Sequence, residues 1–437
     1  MRGSITKRSR ALLLGAATLT SAALILTGCG RAETGADTVP SGSTSVDASP
    51  ATGTVELWTQ GADGAKLPEM FTEFAASNPD VTINMTEVPA EEFASKMTAA
   101  VAAGTVPDLV YIFTESQPGL LNTGGFDPVP DGLVDSADFF ESMWNVSIVD
   151  GTQYGVPWYS YTRGALYRTD LAQSAGAQIP TDWDSLEAYA KKMQDSGVAT
   201  PLALTVSYDI YTAWQLEVYA RANGGGMVSD DLSEWTINSP ENVAALEFWA
   251  SLIQNGYASA DGPGFLDTVP WFTQGTVSGI PDGGPWFYQW ITDAEDAAWT
   301  EENVTFTTAP AGPGGGKAVA LGGGSWFVPS EGKNKDAAWK FVRFMSEPES
   351  QVMWFKVFGN MPAVEAAWDD PALQEGPVLA AVREGLDYGV TTPNVATWGE
   401  VGQIIGEQIE RVARGTASAQ EALDAAQQQA EAIGVGR

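Results

Sequence analysis

Hydrophobic and polar positions follow two periodicities in the part of the chain that begins near residue 54. Residues 55–60 and 81–86 read as short strands, and residues 107–113 (PDLVYIF) form a continuous apolar run typical of a parallel strand covered on both faces. Two helices are predicted between them. One covers residues 91–103, and the other has apolar residues at helical spacing, namely Leu67, Met70, Phe71 and Phe74. This alternation of strand and helix predicts an α/β fold.

Helix start signals continue in the second half of the chain. Thr181-x-x-Asp184 and Ser418-x-x-Glu421 have the spacing of capping boxes, and Ser239-Pro240 places a proline at the first helical position. The intervening residues 261–324 are rich in glycine and proline, and we expect strands and loops to dominate there.

The first 29 residues have a separate character. Four basic residues precede an uncharged, mostly apolar 18-residue stretch at 11–28, which is the layout of a secretory signal peptide. Such a stretch could also just span a bilayer. However, it ends in Leu-Thr-Gly before Cys29, the only cysteine, and this resembles a bacterial lipobox. We therefore expect residues 1–28 to be removed, Cys29 to be lipidated, and residues 29–53 to form a flexible tether.

Composition excludes several functions. The chain has 437 residues, a net charge of −33 and no histidine. Removing residues 1–28 deletes four basic and no acidic residues, which changes the net charge to −37. Because the remaining chain is so acidic, we do not expect it to bind nucleic acid or anionic lipid through charge. Without histidine, thiol and serine–histidine catalysis and a transition-metal site are not expected.

Other chemical motifs are absent or incomplete. Residues 312–318 (GPGGGKA) lack the spacing of a phosphate-binding loop, and no loop has the alternating acidic pattern of a calcium site. The sequence therefore predicts neither a cofactor nor a metal. The length of the body favours two domains.

Seven segments, in order, resemble the family 1 extracellular solute-binding proteins of ABC importers, the relatives of maltose-binding protein. They cover residues 74–88, 102–112, 154–171, 180–193, 272–289, 320–351 and 359–368. The resemblance implies a two-lobed α/β fold of the type II periplasmic-binding-protein kind, with the ligand in the cleft between the lobes and three crossing segments joining them. The implied lobes are residues 54–162 with 325–360, and residues 163–324 with 361–437.

The first implied crossing, residues 158–166, is unusually aromatic. A site for a sugar needs flat rings against its apolar C–H face and planar groups for its hydroxyls. The resemblance therefore implies that Trp158, Tyr161 and Arg163 line the cleft. Arg163 could instead form a structural pair with a carboxylate. Many relatives carry Asp or Glu where this chain has Tyr161, so the chain departs from the usual sugar-binding pattern there.

Further candidate residues come from other segments. Loops after the first and third strands lie at the usual binding edge of a parallel sheet, and they supply Gln60, Gly61, Asp63, Phe113 and Glu115. The resemblance implies stacking rings on the second lobe at Tyr211, Trp214, Trp286 and Trp398. It implies crossing contacts at Ser325, Trp326 and Asn360, where the Gly-Gly-Gly before Ser325 would let backbone amides approach a ligand. Four other tryptophans are expected in the core: Trp183, Trp249, Trp339 and Trp368.

The resemblance implies a binding protein and not an enzyme. It would be a monomeric lipoprotein, anchored on the outer face of the cytoplasmic membrane, that captures an oligosaccharide by lobe closure. It would deliver the sugar to two permease subunits and an ATPase. One alternative keeps the fold but takes a polyamine, a peptide or an anion as the ligand. Another is a secreted glycoside hydrolase with two catalytic carboxylates, although no carboxylate pair stands out in the sequence.

Overall fold

The computed structural model of the chain describes residues 45–436. The expected signal peptide, Cys29 and most of the expected tether lie outside the described residues. Within residues 45–436, no helix combines the length and the apolar character needed to cross a membrane.

Strands and helices alternate along the described residues. The strands are β1 (Thr52–Gln60), β2 (Asp80–Val88), β3 (Leu109–Phe113), β4 (Ile148–Val149), β5 (Thr152–Gln153), β6 (Val156–Thr162), β7 (Gly164–Arg168), β8 (Gly279–Gly283), β9 (Val304–Thr307), β10 (Val319–Phe327), β11 (Met361–Pro362) and β12 (Gly389–Val390). The first helices are α1 (Leu67–Ser77), α2 (Ala90–Ala103), α3 (Gln117–Leu121), α4 (Glu141–Trp144), α5 (Thr169–Ala175), α6 (Trp183–Asp195), α7 (Ile210–Ala222) and α8 (Pro240–Gln254). They are followed by α9 (Thr268–Thr273), α10 (Pro285–Ala294), α11 (Ala297–Asn303), α12 (Lys335–Met345), α13 (Pro348–Phe358), α14 (Pro377–Gly385), α15 (Trp398–Ala413) and α16 (Ala419–Ile433).

The larger sheet contains the three predicted parallel strands. β1 pairs with β2 and with β3 in parallel, and β3 is covered on both faces, as its apolar run predicts. β10 then pairs antiparallel with β3 on one side and with β6 on the other. The strand order is β11-β6-β10-β3-β1-β2, so segments far apart in sequence meet at the β6–β10 side of the sheet.

A smaller sheet has the order β8-β7-β9, and all of its pairings are antiparallel. β6 of the larger sheet and β7 of the smaller sheet are consecutive, and Arg163 is the only residue between them. The Arg163 amide donates to the carbonyl of Ala320 in β10 at 2.8 Å. The chain therefore passes from one sheet to the other at Arg163, next to β10.

Helices α7, α8, α15 and α16 form a second hydrophobic core beside these sheets. Trp183 stacks on Phe248 there, with ring centroids 4.3 Å apart and planes within 6°. All four tryptophans expected in the core, Trp183, Trp249, Trp339 and Trp368, are buried, which confirms that expectation. The capping box at Ser418 and Glu421 and the Ser239 cap are also confirmed.

Several local expectations need correction. Helix α6 is capped by Asp182, whose carboxylate accepts from the Ser185 amide at 2.8 Å; Thr181 lies one residue too early to reach it. Residues 261–324 contain the helices α9, α10 and α11 as well as strands. Pro285 is the first residue of α10, and its fixed φ angle suits the first turn of a helix. This explains why a helix begins within a glycine-rich stretch.

The end of the expected tether is packed on the body. Ala51 is buried, and its amide donates to Asn78 Oδ1 at 2.6 Å. Arg343 donates to the carbonyl of Asp47 at 2.8 Å, and Lys340 pairs with the Asp47 carboxylate at 2.9 Å. Residues 47–53 are therefore packed on the body, against α12, Asn78 and β2, so the flexible part of the expected tether ends before Gly53.

One set of contacts bears on residues 361–368, which begin the last segment expected in the second lobe. Phe140 donates its amide to the carbonyl of Ala363 at 3.2 Å, and its ring meets Trp368 edge to face at 6.3 Å. Residues 363–368 thus pack against a part of the chain expected in the first lobe. These contacts favour a boundary after Trp368, and the lobe limits themselves stay a prediction.

Candidate functional site

Arg163 and Asp282 form a nearly buried ion pair at the passage between the two sheets. Arg163 Nη1 lies 2.9 Å from Asp282 Oδ2, and the two side chains are 13% and 7% exposed. Gln215 of α7 donates to the same carboxylate oxygen at 3.0 Å. Because two donors share this oxygen, Asp282 fixes both the guanidinium and the amide.

The charges around this pair come from both sides of the passage. Burial lowers the pKa of the Arg163 guanidinium, but the negative charge of Asp282, aided by Tyr161 and Glu115, raises it, and the net direction is upward. Burial and the charge of Glu115 raise the pKa of Tyr211. Glu115 follows β3 of the larger sheet, whereas Tyr211 begins α7. Four sequence segments therefore converge here: the β6–β7 crossing, β8, the start of α7 and the turn after β3.

The ring of Trp286 completes this group. It begins α10 directly after β8 and meets the ring of Tyr161 edge to face, with centroids 5.2 Å apart. A Cβ on Gly284 would lie 2.2 Å from the Trp286 ring, so glycine is required for the ring to take this position. The indole Nε1 of Trp286 is buried and makes no hydrogen bond among the described residues.

We call this group the crossing cluster, defined by six residues: Glu115, Tyr161, Arg163, Tyr211, Asp282 and Trp286. Tyr211 is 42% exposed, which is unusual for a large apolar ring. The cluster combines aromatic faces with carboxylates, a phenol and a guanidinium. It can therefore cover an apolar surface and hydrogen-bond to hydroxyls at the same time.

Four predicted site residues lie outside the crossing cluster. One of them packs beneath it, and the other three lie in the core. Trp214 is buried, donates Nε1 to Val390 at 3.0 Å, and lies 5.2 Å beneath the Arg163 guanidinium. Trp158 and Trp326 are fully buried against each other with centroids 4.5 Å apart. Trp398 is buried against Trp235. Their burial argues against contact with a ligand, and that contact stays an untested prediction.

Two polar residues expected at the site hold strands together. Gln60 accepts from the Phe113 amide at 2.9 Å and donates to Ser116 at 2.9 Å, which ties the ends of β1 and β3. Ser325 is buried and shares contacts of 3.3 Å with Gln117 and Ser147. Both side chains already have hydrogen-bond partners within the protein, and their contact with a ligand stays an untested prediction.

The glycine run before Ser325 also has a different role from the one expected. A Cβ on Gly322 would lie 2.2 Å from the Tyr161 ring, and one on Gly324 would lie 2.4 Å from the Tyr111 ring. The space beside these glycines is filled by tyrosine rings and not left open to a ligand. The glycines therefore allow Tyr161 to lie against β10, which places it in the crossing cluster.

The remaining predicted residues keep their candidate status. The ring of Phe113 lies against Gly61 just beyond β1. Asp63 lies in the turn Gly61–Lys66. Asn360 is half-buried before β11, and its Nδ2 makes no hydrogen bond among the described residues. Their contact with a ligand stays a prediction.

Comparison with protein families gives a match over most of the chain. Residues 69–381 match the family model described as bacterial extracellular solute-binding protein. This chain belongs to that family. The matched range contains the whole crossing cluster.

Two relatives and one solved structure illustrate the range of this solute-binding family. The chain is 25% identical over 366 residues to the maltotriose-binding protein of Pyrococcus abyssi, covering 77% of this chain and 72% of the relative. It is 23% identical over 420 residues to the sn-glycerol-3-phosphate-binding periplasmic protein of Escherichia coli K12, covering 85% and 90%. The solved structure of the sugar-binding protein MalE from Xanthomonas citri has 25% identity and a TM-score of 0.79, covering 87% of this chain and 97% of that one. The two-lobed α/β fold is thereby confirmed.

In this solute-binding protein, sequence reasoning missed Asp282 and Gln215, which hold the crossing cluster together. Asp282 lies four residues before Trp286, at the end of β8, where a lone carboxylate gave little signal. Gln215 is in the interior of α7 and carried no sequence signal.

Two surface cavities of the solute-binding protein lie away from the crossing cluster. One, of about 500 Å³, lies between Trp235 and Gln427, and the other, of about 560 Å³, lies between Trp368 and Arg383. Gln427 already bonds to the backbone of residues 235 and 237. Residues 45–436 contain no group of acidic side chains arranged to hold a metal ion.

Proposed function

We propose that this chain is the substrate-binding lipoprotein of an ABC sugar importer. Its ligand in this proposal is a carbohydrate of the oligosaccharide class, which it captures at the crossing cluster. The observation that carries the proposal is the group of charged and polar side chains around Arg163, which is flanked by two partly exposed rings, Trp286 beside Tyr161 and Tyr211 near Glu115. Rings cover the C–H face of a sugar, and planar polar groups hold its hydroxyls. The maltotriose-binding relative and the sugar-binding MalE structure support a sugar as the ligand.

The charge arrangement argues against an anionic ligand, although one relative binds sn-glycerol-3-phosphate. A phosphate group is best held by guanidinium groups whose charge is free to meet it. Here the guanidinium of Arg163 is already bonded to Asp282, and the charge of Glu115 acts on it as well. A neutral polyhydroxyl ligand avoids this competition.

The charge arrangement also disfavours a polyamine. A buried ammonium group needs a carboxylate to balance its charge. The Asp282 carboxylate is engaged by both Arg163 and Gln215, so it is already compensated. A neutral sugar needs no such balance and uses the same groups as hydrogen-bond partners.

Capture would proceed by closure of the lobes about the crossings, with no bond broken. Arg163 alone separates β6 from β7, so a small change in its backbone would rotate the sheets relative to each other. Binding energy that favours the closed form shifts the population toward it. Two permease subunits and an ATPase would then receive the closed protein. The chain would act as a monomer, held by a lipid on Cys29 outside the cell and joined to α12 through a short tether.

A ligand panel tests the proposal. Calorimetric titrations would use maltose, maltotriose, maltotetraose and matching cello- and xylo-oligosaccharides, with sn-glycerol 3-phosphate and spermidine as the competing classes. We expect at least one sugar to bind and both charged ligands to fail. A sugar at 100 times its dissociation constant would add about 2.7 kcal/mol to the free energy of unfolding. Binding of either charged ligand in preference to every sugar would overturn the proposal.

A further inference from the structure

The side-chain amide of Gln215 is held from both sides by buried partners. Trp249 of α8 donates its indole Nε1 to Gln215 Oε1 at 2.7 Å, and Gln215 Nε2 donates to Asp282 Oδ2 at 3.0 Å. Trp249 and Gln215 are each 2% exposed. An indole N–H can only donate and an ionised carboxylate can only accept. The amide therefore has one permitted orientation, because a reversed amide would present the wrong group to both partners.

This series of contacts ends at the guanidinium of Arg163. Asp282 Oδ2 also accepts from Arg163 Nη1 at 2.9 Å, and the guanidinium lies over the Trp214 ring, 5.2 Å from its centroid. Hydrogen bonds thus link α8, α7, β8 and the crossing in series. The position of the guanidinium therefore depends on Trp249, which lies in the core and outside the crossing cluster.

One donor of Arg163 is not used by these contacts. Its Nε is buried and makes no hydrogen bond among the described residues. A buried N–H without an acceptor is destabilising, and an oxygen of a ligand hydroxyl group would satisfy it. Such an oxygen is neutral, so it adds no charge beside a guanidinium that is already paired with Asp282.

We propose that Trp249 and Gln215 are positioning residues for ligand capture. Through Asp282 they hold Arg163 so that its Nε donates to a hydroxyl oxygen of the sugar, while neither of them touches the sugar. This role rests on the proposed function, because it concerns how the same site holds its ligand. Lobe movement about Arg163, the single residue between β6 and β7, gives the sugar access to the donor.

The substitution Gln215→Glu converts the positioning role into a pH dependence. When the introduced carboxyl group is protonated, it donates to Asp282 and accepts from Trp249, as the amide does. When it is ionised, it cannot donate, and it repels the Asp282 carboxylate. Burial and the charge of Asp282 raise the pKa of this group, so the amide-like form is present at low pH and is lost as the pH rises.

Other titratable groups face the same contacts in the wild type. Glu115 and Tyr161 act on Arg163, Tyr211 feels the charge of Arg163, and Tyr219 feels the charge of Asp282. The sequence contains no histidine. Because these groups are common to the wild type and the variant, the ratio of their affinities at each pH isolates the introduced carboxyl group.

Calorimetric titrations use the malto-, cello- and xylo-oligosaccharides of the ligand panel. The wild type, Gln215→Glu and Gln215→Leu are compared at about pH 5 and pH 9. Trp249→Phe and Trp183→Phe are compared at neutral pH; both lose an indole from the same core, but the Trp183 ring stacks on Phe248. Melting curves check that each variant is folded at the pH of its titration.

We expect Gln215→Glu to bind the tightest sugar of the panel within about twofold of the wild type at the lower pH and about tenfold more weakly at the higher pH. Gln215→Leu should bind about tenfold more weakly at both. Trp249→Phe should bind about fivefold more weakly, and Trp183→Phe should match the wild type.

Wild-type affinity of Gln215→Glu at both pH values would overturn the positioning role alone, as would equal affinities of Trp249→Phe and Trp183→Phe. If Gln215→Glu unfolds at the higher pH, the two tryptophan variants decide. If the wild type binds no sugar, the proposed function fails and the positioning role fails with it.

Discussion

Replacing Asp282 by asparagine tests whether the crossing cluster is held by a buried charge pair. The substitution keeps the shape of the side chain and removes its charge. Arg163 and Asp282 are 13% and 7% exposed and 2.9 Å apart, so the guanidinium would remain buried without its counter-charge. Breaking such a pair costs about 3–5 kcal/mol. The asparagine oxygen can still accept from Arg163 and Gln215, so we expect a loss near 3 kcal/mol.

The chain offers a matched control for this substitution. Lys191 and Asp195 are also 2.9 Å apart, but their side chains are 61% and 62% exposed. An exposed pair four residues apart on a helix contributes little to stability, because water screens the two charges. Asp195→Asn should therefore leave the free energy of unfolding close to that of the wild type. The two substitutions alter the same chemical group and differ chiefly in burial.

Urea unfolding followed by tryptophan fluorescence and by circular dichroism measures both variants. Agreement of the two probes shows that one transition is being measured. A second variant, Arg163→Met with Asp282→Leu, removes both charges and should recover most of the lost stability. If Asp282→Asn costs no more than Asp195→Asn, the pair does not stabilise the passage between the sheets and our reasoning about it is refuted.

Three further predictions concern the ring, the tyrosines and the anchor. Trp286→Ala should weaken sugar binding about tenfold in calorimetry, since about 60 Å² of ring would lose its ligand contact; a change below twofold would exclude stacking. Burial raises the pKa of Tyr208 to about 12 from 10.0, so the unfolded chain loses this proton first, and the free energy of unfolding should fall between about pH 10 and pH 12. Tyr208→Phe should flatten that fall in urea titrations. Cys29→Ala should move the protein from washed membranes to the soluble fraction without altering sugar affinity; continued sedimentation with membranes contradicts a lipid anchor.

Local patterns were sufficient for much of the fold. The parallel strands β1, β2 and β3 follow from apolar runs that only a doubly covered sheet can bury. The caps at Ser239 and Ser418 follow from short side chains that satisfy nearby amides. At Thr181 the same pattern was one residue off, because Asp182 offers a carboxylate to the same turn.

Burial at the crossings could not be read from the sequence. Trp158 and Tyr161 lie three residues apart on one strand, yet one is in the core and the other is in the crossing cluster. Which face of a strand is buried depends on the elements packed against it, and for β6 these include α13, whose Trp354 lies 4.6 Å from Trp158. Of the eight aromatic side chains expected to line the cleft, half are therefore buried in the hydrophobic core, which aromatic composition alone could not show.

The ion pair was equally hidden in the sequence. Arg163 and Asp282 are 119 residues apart, and they meet only because β7 and β8 pair in the smaller sheet. The sequence left Arg163 open to a structural pair with a carboxylate, and the structure identifies that carboxylate as Asp282. The guanidinium of Arg163 is therefore already oriented by Asp282, with Glu115 and Tyr211 nearby.

Small-angle X-ray scattering with and without a bound sugar tests the central claim most directly. The sugar is the tightest ligand from the calorimetric panel, at a concentration that saturates the protein, and Trp286→Ala at the same concentration is the control. Closure of two lobes about the crossing at Arg163 predicts a smaller radius of gyration for the saturated wild type and a smaller response from the variant. Superimposable scattering curves with and without saturating sugar would contradict capture by lobe closure.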